Sequence, residues 1–589
     1  MTNSARLSGR PSSSAAYNVG DVVDTPDSAI KSWRYLGAGE WEPNDAVRYT
    51  RGPGGGNGIL GPRMTAALSK AGDDAAPRQH LMSFAGTHME SRGQWLAQPG
   101  QTLVAGAGGT GTGTIEVSDR PDFPGWKITV DAGTTNSKII AERNITGASP
   151  IAATDVIWVI VDVPEWAAGM EFTLYLSSVT NLTKFGYAGS SVHQLQEGIN
   201  EIPLPASAFV MSGGEAWPFT PAQMRMQVKN TSGAGGYLYL GGIRVAKGVP
   251  MVQVTIDDGY ADLIRYAYPI MAKHGLRGTA YIVTGWTDRQ EANDFDDNTM
   301  ARWRDLKMLY DAGWDICPHT TGHRNALSYA EVGSIASGDT TATFAGDGTS
   351  GDVVVNFVAA GRLVFDKPRG LALWSAGADT TKLCTIAGVV NGVAREEKIS
   401  MRNTTFSVSR YEWDAIDSVV MGSAAAAKVT LRACYNAADY AADVRAARDR
   451  IIEMGMPRAA HWFAWPRGEF SKPIRDALLA DGFYIRGTVE YYTGNIYGGR
   501  LGARDFPSYS AGGSRTLADL QAHVAKIQDR GAIGSFFEHH INPDTGTPIN
   551  TTPTNFAAKI EWLAAQVYAG ALRCPTNTDL ERSWRESYD

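Results

Sequence analysis

The sequence predicts an α/β domain with a parallel sheet, interrupted by an inserted β domain and preceded by a β-sandwich. Three observations carry that prediction. From about residue 250, strands alternate with amphipathic helices: VPMVQVTIDDGY, ADLIRYAYPIMAKHG (ended by Gly275), GTAYIVT, WRDLKMLYDAG and WDICPHTTGH. This is the rhythm of βαβ units. From about 335 to 437 the text turns to short β runs, among them DVVVNFV, LVFDK, KLCTIAG and KVTLRACY, before the helix YAADVRAARDRIIEMG restores the α/β pattern. From about 101 to 247, alternating runs such as WKITVDA, VIWVIVDV, EFTLYLSS and YLYLGGIRV are separated by turn residues, as in a sandwich.

In chain order, residues 1–100 are rich in Gly, Pro and Ser, with the loop RGPGGGNGILGP. They read as a small N-terminal attachment or linker region. Residues 101–247 form the sandwich. Its closing run YLYLGGIRV resembles the last strand of jelly-roll carbohydrate-binding modules. Trp126, Trp158, Trp166 and Trp217 are candidates to stack on sugar rings there, beside their plainer use as core. Residues 248–334 and 438–589 are the two parts of the α/β domain. The second part carries AHWFAWPRG, KPIRDALLADG, FYIRGTV, AIGSFFEHHI and the closing helix TNFAAKIEWLAAQVYAG. Residues 335–437 are the insertion, tolerated in a surface loop because the ends of inserted domains usually lie close together.

The chain has 589 residues, 43% hydrophobic and 20% charged, which suits several packed domains. A net charge of −7 without a basic block argues against nucleic acid as a partner. Cys317, Cys384, Cys434 and Cys574 form no CxxC pair and read as core residues. No run of about 18 apolar residues occurs, so no membrane-spanning helix is expected. The N-terminus, MTNSARLSGRPSSSAAYNVGDVV, has arginines but no apolar segment, and no secretory signal is expected from it.

In α/β folds, reactive groups gather at the C-terminal ends of strands. Asp257 and Asp258 fall at such an end, as do His319 and His323 in HTTGH, and His539 after GSFF. Adjacent aspartates repel, so something must hold them. Two histidines four residues apart can face one way on a helical turn and bind one metal. One carboxylate completes a two-His, one-Asp site with positions open for water. The second carboxylate stays unligated near that water, and the cation offsets the repulsion.

TIDDGY followed by HTTGH resembles the first two motifs of the polysaccharide deacetylases, the NodB-homology family (carbohydrate esterase family four), over about 250–589 less the insertion. The resemblance implies a distorted (β/α) barrel of fewer than eight strands and removal of N- or O-acetyl groups from sugars. It implies Asp257 as general base and Asp258, His319 and His323 as ligands of a divalent metal, zinc first, with cobalt or nickel also suited. It implies His539 in FFEHHI as general acid, with His540 the competing candidate. The family's third motif is replaced by FAWPRG. Ala464 stands at its usual arginine position, so the arginine contact to the base is expected to be missing. Arg467 stands where a tyrosine backbone N–H serves the oxyanion hole. Trp465 is expected to line the sugar groove, and Tyr260 is counted with these two on the substrate side. The fourth motif, an aspartate–tryptophan pair, is not visible; DGFYIRGT stands in that region.

The large β appendages look like phage tail proteins. By that analogy the protein is a tail spike or fibre enzyme in the virion. It acts at the host cell surface on acetylated capsule, exopolysaccharide or O-antigen, bound to tail or baseplate proteins and trimeric. Two rival readings are a non-catalytic glycan-binding adhesin on the same scaffold and a depolymerase. A depolymerase usually needs two carboxylates separated across the bond, and adjacent aspartates do not suit it.

Overall fold

The computed structural model describes residues 94–588, apart from 120–123, 134–135, 164–169, 192–197, 231–234, 246–248, 295–298, 346–348, 351–352, 359–360, 378, 380–381, 402–405, 470, 488–495, 498–504, 507, 514 and 544–548. Before residue 94 it describes a three-stranded sheet, Val22–Asp24, Ser32–Gly37 and Glu40–Pro43. The rest of the N-terminal region lies outside the described residues, as does Trp166.

The sandwich has two antiparallel sheets. One runs Val210–Ser212, Phe185–Ser191, Met170–Ser177, Gln223–Asn230, Ser137–Asn144, Val104–Ala105. The other runs Gly198–Pro205, Val156–Val163, Gly236–Val245, Trp126–Val130, Gly113–Val117, with Gln94–Ala97 also pairing on Gly236–Val245. Period-two alternation sends Ile157, Val159 and Val161 into a core with Phe172, Leu174, Met224 and Met226. The alternate residues Val156 and Trp158 join the α/β domain's core instead. VIWVIV, Val156 to Val161, is therefore an unbroken apolar run because both its faces are covered. Of the two uses open to the tryptophans, core is the one found for Trp126 and Trp158, which are 3% and 0% exposed. Trp217 is half-buried and stacks on Phe219 at 4.6 Å.

The α/β domain supplies β1 (Met251–Ile256), β2 (Thr279–Ile282), β3 (Asp315–Pro318), β4 (Trp462–Ala464), β5 (Tyr484–Arg486), β6 (Asp505–Phe506), β7 (Tyr509–Ser510) and β8 (Ile533–Glu538). Parallel ladders give the order β3-β2-β1-β8-β7, with the short strand Ile496–Tyr497 antiparallel to β8. β4, β5 and β6 make a second parallel sheet. Met251, Tyr281, Cys317, Trp462, Tyr484 and Ile533, one from each of six strands, share one interior cluster with Leu580. Among the described residues no ladder joins β3 to β4, so hydrogen bonding does not close a barrel around that interior.

The helices are α1 (Tyr268–Lys273), α2 (Thr284–Glu291), α3 (Trp303–Asp311), α4 (Ala437–Glu453), α5 (Lys472–Ala480), α6 (Leu517–Arg530), α7 (Pro553–Tyr568) and α8 (Asn577–Tyr588). The run ADLIRYAYPIMAKHG opens as a π turn at Leu263–Ala267 and becomes α1 only from Tyr268, with Pro269 in its first turn. The backbone ahead of it is already helical, so Pro269 lies within a continuous helix, and its missing N–H coincides with the switch from π to α winding.

The insertion has two antiparallel sheets. One runs Thr343–Phe344, Leu327–Ile335, Val429–Cys434, Leu371–Ser375, Ser407–Val408. The other runs Thr349–Ser350, Val353–Val358, Arg362–Arg369, Trp413–Met421, Leu383–Val390, Val393–Ser400. Trp413, Ile416, Leu363, Leu373 and Leu431 centre its core. Its first strand starts at Leu327, ahead of residue 335, and Leu327 is paired with Cys434. All four cysteines are free and buried, and no helix among the described residues is long and apolar enough to cross a membrane.

His523 on α6 stacks on Tyr509 at 4.4 Å and is 5% exposed. Burial, then the charges of Lys526 and Arg530, push its pKa down to about 4. Folded protein therefore stays neutral there while the unfolded chain takes up a proton near pH 6.5. Stability is full above about pH 6.5 and is lost as the pH falls toward 4, by about 3 kcal/mol at most. Urea unfolding of wild type and His523→Phe across that range should show a steeper acid loss in wild type.

Candidate active site

β1 is buried along its whole length and ends at Ile256. The chain then turns sharply: the Asp257 N–H donates to Glu538 O at 2.9 Å, Asp258 is left-handed at φ 71° and Gly259 at φ 85°. A Cβ on Gly259 would sit 3.0 Å from Ile282 Cδ1, so both backbone angle and space favour glycine. The turn gives the two carboxylates different partners. Asp257 and Asp258 are 1% and 4% exposed.

Asp257 Oδ2 accepts from Arg486 Nη2 at 2.5 Å, while its Oδ1 is buried with no hydrogen-bond partner among the described residues. Arg486 Nη1 also donates to Thr255 Oγ1 at 3.3 Å. Its guanidinium lies over the rings of Tyr281 and Phe537, 4.8 and 4.9 Å from their centroids. This corrects the expectation drawn from Ala464. The arginine contact to Asp257 is present, and it comes from the next strand. Arg486 is in register with Ala464, so the cation has moved sideways across one ladder.

Asp258 Oδ1 faces His319 Nε2 at 3.4 Å and His323 Nε2 at 3.2 Å. The ligand atoms of these three residues lie within 4.8 Å of one another. Tetrahedral ligands about 2.0–2.1 Å from a zinc-like ion sit roughly 3.3 Å apart, so this donor set fits a divalent ion. His319 Nδ1 lies 2.8 Å from Ala464 O. That carbonyl accepts the Nδ1 proton and leaves Nε2 free for a ligand. Burial disfavours the Asp258 carboxylate, but the facing imidazoles of His319 and His323 outweigh it and hold its pKa well below the usual range. The HTTGH segment is not a helical turn. Thr320 and His323 are left-handed (φ 66° and 55°), and the bend between them brings both rings to Asp258.

His539 is half-buried, edge-on to Phe537 at 5.4 Å. Burial lowers its pKa, against the pull of Asp257 and Asp258. His540 turns elsewhere: Nδ1 lies 3.0 Å from Asp262 Oδ2 and its ring stacks on Tyr260 at 3.4 Å. Tyr260 is half-buried, and burial followed by the Asp258 charge pushes its phenol up to about 12. Glu538, the last residue of β8, is fully buried against Lys559 Nζ at 3.0 Å and Thr551 Oγ1 at 2.8 Å.

FAWPRG departs from its expected role. Trp465 is 1% exposed and packs with Tyr440, Phe463, Ile474 and Leu478, so it cannot line a sugar groove. Arg467 is exposed and left-handed (φ 59°) in the short turn Pro466–Gly468, a conformation that is costly without glycine. The sequence reading missed Arg486. Its signal was a charged residue closing the otherwise apolar strand FYIR.

Residues 244–341 match the family model described as Polysaccharide deacetylase. The chain therefore carries a polysaccharide deacetylase domain, and by it is an enzyme of the carbohydrate deacetylase kind. No curated protein sequence matches the chain. Among solved structures it is similar to the Bc1960 peptidoglycan N-acetylglucosamine deacetylase (9% identity, 56% of this chain, 88% of that one, TM-score 0.27). It is similar to a family 4 acetyl xylan esterase from Clostridium thermocellum in complex with cobalt (11%, 56% and 90%, TM-score 0.26). It is also similar to a family 11 carbohydrate-binding module from Clostridium thermocellum (11%, 24% and 86%, TM-score 0.20).

Arg486→Met strands a buried carboxylate and should cost about 3–5 kcal/mol in urea unfolding, with acetate release largely lost. Arg486→Lys keeps the charge but not the fork and should fall between Met and wild type on both measures.

Proposed function

We propose that the protein hydrolyses N- or O-acetyl groups of a bacterial surface polysaccharide at the cluster formed by Asp257, Asp258, His319, His323 and His539. The observation that carries this is the pairing of one metal-fitting triad with a second, unligated carboxylate whose Oδ1 has no hydrogen-bond partner among the described residues. Asp258, His319 and His323 would hold the ion, with zinc the first choice and cobalt or nickel alternatives. When bound, such an ion supplies Lewis acidity to the acetyl carbonyl and acidifies a water.

The chain's own residues do the rest. Arg486 fixes one oxygen of Asp257, leaving Oδ1 to take a proton from the attacking water. The water oxygen bonds to the acetyl carbon as the C–N or C–O bond to the sugar breaks. His539 donates a proton to the departing sugar atom, and acetate leaves. The backbone N–H of Arg467 is the candidate donor to the oxyanion. His539 is preferred to His540 as the acid because it interacts electrostatically with Asp257 and Asp258, whereas His540 is committed to Asp262 and Tyr260.

The substrate is read as capsule, exopolysaccharide or O-antigen. The setting is read as a phage tail, with a trimeric protein acting at the host surface beside tail or baseplate partners. What supports this is the company the domain keeps: a sandwich on one side and a β insertion within it.

Asp257→Asn should bind metal like wild type but release acetate at least about 100-fold more slowly. His319→Ala should lose the metal. Acetate assays on a panel of acetylated bacterial polysaccharides, with metal analysis of each protein, check both. Full activity in the two variants would overturn the assignment. Glycan binding without acetate from wild type would favour the adhesin reading.

A further inference from the structure

We propose that Trp286 is the stacking wall for the sugar ring that carries the acetyl group; this rests on the deacetylase reading above. α2 begins just past the C-terminal end of β2, and its start is fastened to the loop bearing His319 and His323. The Thr284 N–H donates to Thr320 O at 3.3 Å and the Gly285 N–H to Thr321 O at 2.8 Å. A Cβ at position 285 would lie 2.5 Å from Thr321 O, so glycine is what permits this approach. The next residue is thereby set beside a candidate ligand: the Trp286 and His323 rings are 5.3 Å apart with 32° between their planes.

Trp286 is not spent on the fold. It is half-buried and joins none of the hydrophobic cores described above, whereas Trp303 and Trp314 of the same domain are 3% and 1% exposed. An indole left partly in water beside a reactive centre has apolar surface to bury against a ligand. Tyr260 also adjoins Asp258, with one ring face covered by His540. Asp258 and His323, 3.2 Å apart, thus each have an aromatic neighbour, Tyr260 beside the first and Trp286 beside the second. A pyranose offers hydroxyls at its edge and C–H groups on its face. With the acetyl group directed to Asp258 and His323, the apolar sugar face comes within reach of Trp286. This also explains how the site does without the aromatic wall expected from FAWPRG, since Trp465 is buried and Arg467 offers no ring.

The test compares wild type, Trp286→Ala and Trp286→Phe on an acetylated oligosaccharide and on a ringless acetate ester, 2-hydroxyethyl acetate. Metal content is measured on each protein, and oligosaccharide affinity is measured by calorimetry in the Asp257→Asn background. Trp286→Ala should lose about 10- to 100-fold in kcat/KM for the oligosaccharide, mainly through KM, on the scale of one lost base–aromatic stack. It should keep its metal and its rate on the ringless ester, and Trp286→Phe should recover most of the loss. Equal loss on both substrates, or no loss on either, overturns the proposal. Wild type that binds the oligosaccharide but releases no acetate overturns the deacetylase reading instead. In that case the calorimetric comparison still decides whether Trp286 stacks on sugar.

Discussion

Two carboxylates on consecutive residues, both almost wholly removed from water, are the constraint around which the α/β domain is arranged. An uncompensated buried carboxylate costs several kcal/mol, and two side by side also repel. The left-handed turn at Asp258 and Gly259 answers this by giving them separate surroundings. Asp257 meets Arg486, whose own charge is shared with Thr255 and two ring faces. Asp258 meets two imidazole nitrogens. The strand end asked for counter-charges, and β5 and the loop after β3 supply them from far along the chain. The same division separates the chemical roles, since the carboxylate facing the imidazoles suits a metal and the one facing the arginine keeps a free oxygen.

What was legible in the sequence is what local residue type decides. TIDDGY and HTTGH declare themselves because an aspartate pair and an HxxxH, each ambiguous alone, fall together at strand ends of one domain, and the structure brings Asp258 within 3.4 Å of both histidines. Helix α4 was readable from its period and α7 from its apolar face, and each has a polar N-cap, Asn436 or Thr552. Helix α6 was passed over although Thr516 and Asp519 form a capping box and Gly531 closes it; its signal was present and local.

Arg486 and Trp465 failed for a different reason. Whether a side chain lies in a core or a groove is set by strands that pair in three dimensions. Ala464 looked like a lost arginine because register across β4 and β5 cannot be read from either segment alone. Trp465 looked like a sugar platform because a tryptophan near a motif carries no mark of the α4 and α5 residues that bury it. Trp158 is core, as its plainer reading had it, but that a neighbouring domain covers it could not be read from its own strand.

The insertion enters directly after the loop whose geometry the site most needs, yet that loop is held from the far side of the interruption. Leu327 and Cys434 are paired, so the chain resumes where it left. Glu412 of the insertion accepts from the first N–H of α4, Ala437 N, at 2.6 Å. α4 then reaches back: Asp443 accepts from Thr321 N at 3.1 Å and from its hydroxyl, and Tyr440 Oη donates to Arg324 O at 2.8 Å. Asn325 is held by Glu469, just past FAWPRG. Left-handed residues such as Thr320 and His323 persist only where their surroundings over-determine them. Here α4 provides that, and the insertion caps α4. The β domain is therefore placed as a strut behind the histidines, joined to them through Glu412, α4 and the Leu327–Cys434 pair.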